Sequence, residues 1–369
     1  MRAGIVGLPN VGKSTLFNAV TRSHKAPAEN YPFCTIEPNL GVVSVPEARL
    51  DAIARVVKVN TRIPAAFEFV DIAGLVRGAS QGEGLGNKFL GHIREVDALV
   101  HVVRCFEDPD VVHVNGGIDP VRDVEIVGTE LVLADLETAR KRHEKISKDV
   151  KRGDKHALLE SGLLEKIQAH LDSGKPAHTM ALPLSPEEKV IQRGFFLLTD
   201  KPTIFAANVR ESELASAASN PHVTALRAYA ERHHACRTVV VSAQLESDLG
   251  DLSPEESVEY LAELGLDAEP GGARLIQAAY QLLGLRTFFT FNDKEVRAWT
   301  IHAGDTAARA AGTIHTDFER GFIKAETVQW DDLVRCGSVG HAREAGLYRI
   351  EGRDYVVKDG DVLLFRFNV

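Results

Sequence analysis

The nine residues Gly7-Leu8-Pro9-Asn10-Val11-Gly12-Lys13-Ser14-Thr15 limit the possible folds of this chain more than any other stretch. They lie between the apolar runs Ala3-Gly4-Ile5-Val6 and Leu16-Phe17-Asn18-Ala19-Val20, which reads as strand, tight loop, helix. In that context Gly-x-x-x-x-Gly-Lys-Ser is a phosphate-binding loop. Gly7 and Gly12 admit backbone angles that a Cβ would forbid, so successive N–H groups from Asn10, Val11, Gly12 and Thr15 can turn inward around an anion. The helix beginning near Lys13 adds unpaired amides and the positive end of its dipole. Lys13 is expected on the β- and γ-phosphates and the Ser14 hydroxyl on Mg²⁺. The motif implies an α/β nucleotide-binding domain and a nucleoside triphosphate.

A second landmark supports this. In Phe67-Glu68-Phe69-Val70-Asp71-Ile72-Ala73-Gly74 an apolar strand ends in Asp-x-x-Gly, the order in which a carboxylate holds Mg²⁺ and a glycine amide meets the γ-phosphate. Asp71 and Gly74 take those roles. Thr35, in the irregular stretch between the two landmarks, is a candidate further Mg²⁺ ligand on a loop that senses the γ-phosphate. Glycines 78, 82, 84 and 86 suggest a second switch. Leu75 stands where many regulatory GTPases carry a water-orienting glutamine, and it cannot hydrogen-bond through its side chain. Either hydrolysis is slow or another group positions the water. His113 is a candidate catalytic residue for that task, because it lies in the loop 105–119 after the strand Ala98–Val103. Loops at the carboxyl ends of strands gather round the ligand in open α/β sheets.

The base side of the site is read from Asn208-Val209-Arg210-Glu211, which ends the strand 202–208. GTPases have Asn-Lys-x-Asp there, the aspartate accepting from the guanine ring N–H and 2-amino group. Val209 replaces the lysine and Glu211 the aspartate. Adenine lacks both guanine donors, whereas the Asn208 amide can pair with an adenine edge. The departure points to ATP or to relaxed base choice. The strand 238–241 leads to Ser242-Ala243, expected as backbone contacts beside the base.

The remaining chain adds two regions. From Thr129 the apolar residues Val132, Leu136, Ala139, His143, Ile146 and Val150 follow a coiled-coil spacing, broken at Gly153-Asp154, with Leu164, Ile167 and Leu171 on a returning helix. The expectation is an antiparallel helical arm, 129–199, inserted into a nucleotide domain of 1–128 and 200–284. Between Glu137 and His156, eight Lys/Arg face four Asp/Glu. That local excess fits either a solvated face or a finger for phosphate backbone. The net charge of −9 argues against wholesale nucleic-acid coating. Strand-like segments around a short alanine-rich helix suggest that 285–369 is a small β-grasp module for partner binding. Four dispersed cysteines (Cys34, Cys105, Cys236, Cys336) suggest free thiols in a reducing compartment, without zinc or disulfides. No run approaches membrane-spanning length, and the early first strand leaves no space for a signal peptide.

Gly7–Thr15, Tyr31-Pro32-Phe33-Cys34-Thr35, Asp71-Ile72-Ala73-Gly74-Leu75-Val76, the Asn208–Glu211 variant, the inserted arm and the stretches Gly304-Asp305-Thr306 and Gly321–Glu326 together resemble the YchF-type Obg-like ATPases, whose last domain is a TGS domain. The resemblance implies a Mg²⁺-dependent, cytoplasmic ATPase that prefers ATP over GTP. It also implies association with the ribosome, through large-subunit rRNA contacts of the basic arm and TGS domain, and a link to translation and stress control. It matches Leu75 to the family's hydrophobic replacement of glutamine and His113 to the histidine proposed to take over. It matches Asn10 to an asparagine that helps hold K⁺ in potassium-stimulated relatives. Cys34 beside Thr35 is either a redox-sensitive position or a passive small residue. A GTPase of ribosome assembly and a nucleotide-gated scaffold with incidental hydrolysis remain the alternatives.

Overall fold

The strand Ala98–Arg104 is buried along its full length. A strand apolar on both sides suits the middle of a parallel sheet covered on both faces. A computed structural model describes residues 1–23, 25, 39–72, 85–109, 116–181, 183–233 and 236–368. Among them the strands are β1 (Arg2–Val6), β2 (Leu40–Ser44), β3 (Thr61–Ile63), β4 (Ala66–Asp71), β5 (Ala98–Arg104), β6 (Thr203–Asn208), β7 (Thr238–Val241), β8 (Leu285–Phe291), β9 (Glu295–His302), β10 (Phe322–Gln329), β11 (Arg349–Glu351) and β12 (Asp361–Phe367). The first helices are α1 (Lys13–Ser23), α2 (Ala48–Val57), α3 (Leu85–Glu95), α4 (Pro120–Lys151) and α5 (Lys155–Asp172). The described chain groups into two compact units. One holds 1–23, 39–41 and the described residues from Glu68 to Leu275; the other holds Val42–Phe67 and 276–368.

The first unit is built on the strands β4-β1-β5-β6-β7, β4 contributing Glu68–Asp71; β1 runs parallel to β4 and β5, β5 to β6, and β6 to β7. The chain builds outward from β1 in both directions, so the carboxyl end of β1 is a switch point where ligands settle in such sheets. α1 leaves that end with Lys13, Leu16, Phe17 and Val20 buried, the spacing of one helical face. A Cβ on Gly4 would meet Ile72 Cδ1 at 2.5 Å and one on Gly7 the Val102 carbonyl oxygen at 2.7 Å. Gly7 is therefore needed for close approach to β5. Only Gly12 of the loop's two motif glycines has the left-handed backbone expected of both, at φ +88°.

α4 and α5 form the antiparallel arm. α4 starts at Pro120 instead of near Thr129, because Asp119 caps it by accepting from Arg122 N at 3.1 Å and Pro120 fits the first turn. Gly153, at φ +78°, turns the chain, and Asp154 caps α5 by accepting from Ala157 N at 2.8 Å. Val132, Leu136, Ala139 and Ile146 pack against Leu163, Leu164, Ile167 and Leu171. Arg140–Asp172 at 2.9 Å and Arg142–Glu160 at 2.5 Å tie the two helices across the seam. Deep beneath it, Asp135 is fully buried and accepts from Leu198 N at 2.7 Å, Thr199 N at 2.8 Å and Thr199 Oγ1 at 2.7 Å. Burial pushes this carboxyl up, and the three donors oppose that shift.

The second unit carries a sheet of order β11-β10-β12-β8-β9-β3. β8 and β9 form an antiparallel hairpin, and β12 runs parallel to β8 and antiparallel to β10. The helix Ala307–Ile314 buries Ala307, Ala308, Ala310 and Ala311 against this unit's core with Phe288, Phe322 and Phe365. Its small side chains let the backbone lie close to the sheet, which accounts for the run of alanines. The arrangement is a β-grasp fold. The last strand begins at Asp361, after a turn at Asp359-Gly360 and an isolated antiparallel bridge between Val356 and Thr306. β3, read from sequence as part of the first domain, is an edge strand here, parallel to β9. Arg49 of α2 joins it to this unit by bonding Asp359 at 2.7 Å, while Asp359 accepts from Thr287 N at 2.8 Å.

Replacing Asp135 with Ala strands two buried amides and a hydroxyl. Urea unfolding should show a loss of about 3 kcal/mol; a loss below about 1 kcal/mol would refute the anchoring role given to Asp135.

Candidate functional site

The phosphate loop, α1 and the tip of β4 enclose a cavity of about 590 Å³ lined by Leu8, Pro9, Asn10, Gly12, Lys13, Ser14, Thr15, Asn39 and Asp71. Asn10 is left-handed at φ +63°, a conformation asparagine tolerates. Leu16 N closes the first helical hydrogen bond to Gly12 O at 2.9 Å. Lys13, only 8 % exposed, forms an ion pair with Asp71 Oδ1, and Ser14 Oγ donates to Asp71 Oδ2 at 3.2 Å. The structure thus brings together the lysine, the hydroxyl and the carboxylate that sequence spacing had associated. A buried ammonium opposite a carboxylate is a balanced pair. Such a pair is suited to exchange, since a polyphosphate would offer Lys13 another anionic partner and a cation would offer Asp71 another positive one. Hydroxyl and carboxylate oxygens are the donors Mg²⁺ prefers, and it binds through few protein groups plus phosphate. No cluster of three or more His, Cys, Asp or Glu suited to a metal occurs among the described residues.

The Asn208 amide makes two bonds within the protein. Its Nδ2 donates to Val11 O at 2.9 Å, and its Oδ1 accepts from Ala243 N at 2.9 Å. Cys105 N also bonds its backbone oxygen at 2.8 Å. At 3 % exposure the side chain ties the phosphate loop to the end of β7, with one of the two Nδ2 hydrogens engaged by Val11. A Cβ on Gly12 would collide with that same Nδ2. The Ala243 amide expected at the base is spent on Asn208, and Ser242 Oγ caps the helix Ala243–Leu249 by accepting from Leu245 N at 3.4 Å. Val209 is buried at 2 % exposure, where the lysine of guanine sites would lie over the base. Glu211 is half-buried and accepts from Tyr260.

Thr35, Gly74 and His113, with Leu75 and Cys34, lie outside the described residues. Cys105, Cys236 and Cys336 are free thiols, and burial pushes Cys105 up to about 12 and Cys236 up to about 11, which suits inert packing. Sequence reasoning missed Asn39, whose carbonyl accepts from Asp71 N at 2.8 Å and so helps place the carboxylate. Its left-handed φ of +77° is a turn that an asparagine before a strand can signal.

Residues 2–142 match the family model described as 50S ribosome-binding GTPase. Residues 285–368 match the model for the C-terminal region of YchF GTPases, described as a protein of unknown function. The chain is 50% identical over 369 residues to the ribosome-binding ATPase YchF of Bacillus subtilis, covering 100% of both chains. The chain belongs to the YchF family. The YchF protein of Escherichia coli O157:H7 is likewise 50% identical, over 100% of this chain and 99% of the relative. The solved YchF GTPase of Schizosaccharomyces pombe matches with a TM-score of 0.87 at 36% identity, covering 99% of this chain and 97% of that one. Phosphate-loop ATPases and GTPases generally use Mg²⁺. No helix among the described residues is long and apolar enough to cross a membrane.

Asn208→Asp keeps the acceptor for Ala243 but loses the donor for Val11. We expect ATP to bind about tenfold more weakly and the fold to lose about 2 kcal/mol. An unchanged unfolding midpoint in urea would return Asn208 to the role of a base contact.

Proposed function

We propose that this chain is an ATP-hydrolysing switch that associates with the ribosome and regulates translation or the stress response. The observation carrying this reading is the cluster of Lys13, Ser14 and Asp71 in a phosphate-loop cavity, in a chain half identical to ribosome-binding ATPases. Lys13 and the amides of Asn10 to Thr15 hold the triphosphate, with the α1 dipole aimed at it. Ser14 and Asp71, with Thr35, are the residues that would hold Mg²⁺, which when bound offsets the negative charge of the phosphates. The Gly74 amide meets the γ-phosphate. His113 orients the attacking water in place of a glutamine, with Leu75 unable to do so, and Asn10 helps to hold K⁺. Val209 and Glu211, with Ser242 and Ala243 shaping the wall, favour adenine over guanine. Catalysis is then largely positioning and charge stabilisation, with slow turnover in the absence of a partner.

The domain reading is a nucleotide-binding domain of 1–128 and 200–284, an arm of 129–199 and a TGS domain of 285–369, in a cytoplasmic protein. The arm and TGS domain contact rRNA of the large subunit. On the arm, Lys145, Lys148, Lys151 and Lys155 are exposed near the tip, and Arg140, Lys141, Arg142 and Arg152 form ion pairs with neighbours on the arm. The four tip lysines are therefore the groups to meet phosphate backbone.

ATP turnover by the full chain, with and without ribosomes and in potassium or sodium buffer, tests this reading. Ribosomes and potassium should each raise it, and His113→Ala should lower it by about a hundredfold with ATP still bound. Tighter GTP than ATP binding would favour the GTPase alternative. Ribosome release that survives the loss of hydrolysis would favour a nucleotide-gated scaffold.

A further inference from the structure

Glu211 begins the short turn that leaves β6, just beyond Asn208, which is bonded to the phosphate loop. Its Oε1 accepts a hydrogen bond from the Tyr260 hydroxyl at 2.7 Å. Tyr260 comes from a different element, the helix Pro254–Glu263, which starts with a reciprocal cap. There Ser253 Oγ accepts from Glu256 N at 3.3 Å, and Glu256 Oε2 accepts from Ser253 N at 2.8 Å. The tyrosine packs with Leu214, Leu264 and Leu266 onto the buried cluster of Leu245, Leu249 and Leu261. Its hydroxyl is thereby aimed by packing, independently of the turn that carries Glu211. The bond to Glu211 is the first cause of a phenolic proton held more tightly than usual.

We propose that Tyr260 is a positioning residue that biases base choice against guanine by holding the Glu211 carboxylate in a fixed orientation. The proposal rests on the reading of 208–211 and 242–243 as the base side of an ATP site. Guanine presents a ring N–H and a 2-amino group as two parallel donors, and a carboxylate reads the pair only when both its oxygens face the ring. A carboxylate turned toward Tyr260 must give up a charge-assisted hydrogen bond to do so. Adenine has neither donor, so its binding leaves the Tyr260–Glu211 bond intact. The penalty falls on one base alone, and discrimination is that difference in affinity. Glu211 in place of the guanine-reading aspartate removes that reader; Tyr260 keeps the longer carboxylate from resuming that role.

Calorimetric titration of ATP and of GTP into the full-length chain with Mg²⁺ tests this. In Tyr260→Phe, which removes only the hydroxyl, the ratio of the GTP Kd to the ATP Kd should fall about fivefold, a value reduced from that of a buried bond because both partners are half exposed. Glu211→Asp, which withdraws the carboxylate from the hydroxyl by one methylene and also restores the residue type that reads guanine, should lower the ratio further than Tyr260→Phe does. Adding Tyr260→Phe to Glu211→Asp should then change it little further, since the shorter carboxylate no longer meets the hydroxyl. A tyrosine needed only for packing would weaken both nucleotides together. A ratio in Tyr260→Phe within about twofold of wild type, or two fully additive effects, would overturn the proposal while leaving the ATP site in place. Failure of the wild-type chain to take up either nucleotide would overturn the site reading, and the proposal with it.

Discussion

The charge balance between Lys13 and Asp71 governs the arrangement of the site. An ammonium this deeply buried costs several kcal/mol unless it is paired, so the end of β4 has to deliver a carboxylate to the start of α1. The parallel register of β1 and β4 does so, setting Ile5 opposite Asp71. Asn39 O then accepts from Asp71 N and steadies the strand tip. The pair links strand pairing directly to a site for phosphate and a hard cation. A rearrangement of the sheet that moved β4 by one residue would turn Asp71 away and leave Lys13 unpaired.

Asn208 shows how the same fold joins the two halves of the site. A buried amide needs hydrogen-bond partners, and here Val11 O takes one Nδ2 hydrogen while Oδ1 accepts from Ala243 N. That makes the asparagine a strut between the phosphate loop and the helix after β7. Residue type and spacing marked Asn208 as a candidate, and the structure bonds it to Val11 of the phosphate loop. They could not show which partner took the amide, because an asparagine can bond a base edge or a backbone equally well. The packing of Gly12 against Asn208 Nδ2 adds a reason for the glycine beyond its backbone angle.

The arm and the second unit divide in the same way between local and long-range information. The coiled-coil spacing from Val132 to Val150 was legible, since a seam repeats along one helix. The start at Pro120 was set by the Asp119 cap, which the apolar periodicity does not report. Asp135 reads locally as an ordinary polar helix residue, yet it is buried under Leu198 and Thr199, more than sixty positions away. β3 is three residues long and carries little pattern, so its pairing with β9 follows from tertiary context alone.

The sequence by itself determined the phosphate loop, the α/β alternation around it, the helical arm and the β-grasp strands, because each follows from spacing within a short window. The family follows from those motifs together. Tertiary structure alone decided that Asn208 braces the phosphate loop, that Asn39 steadies Asp71, that Tyr260 takes a Glu211 oxygen and that Thr61–Ile63 joins the C-terminal sheet. These are contacts between residues far apart in the chain, and a side chain's chemistry states what it can bond but not what folding brings within 3 Å of it.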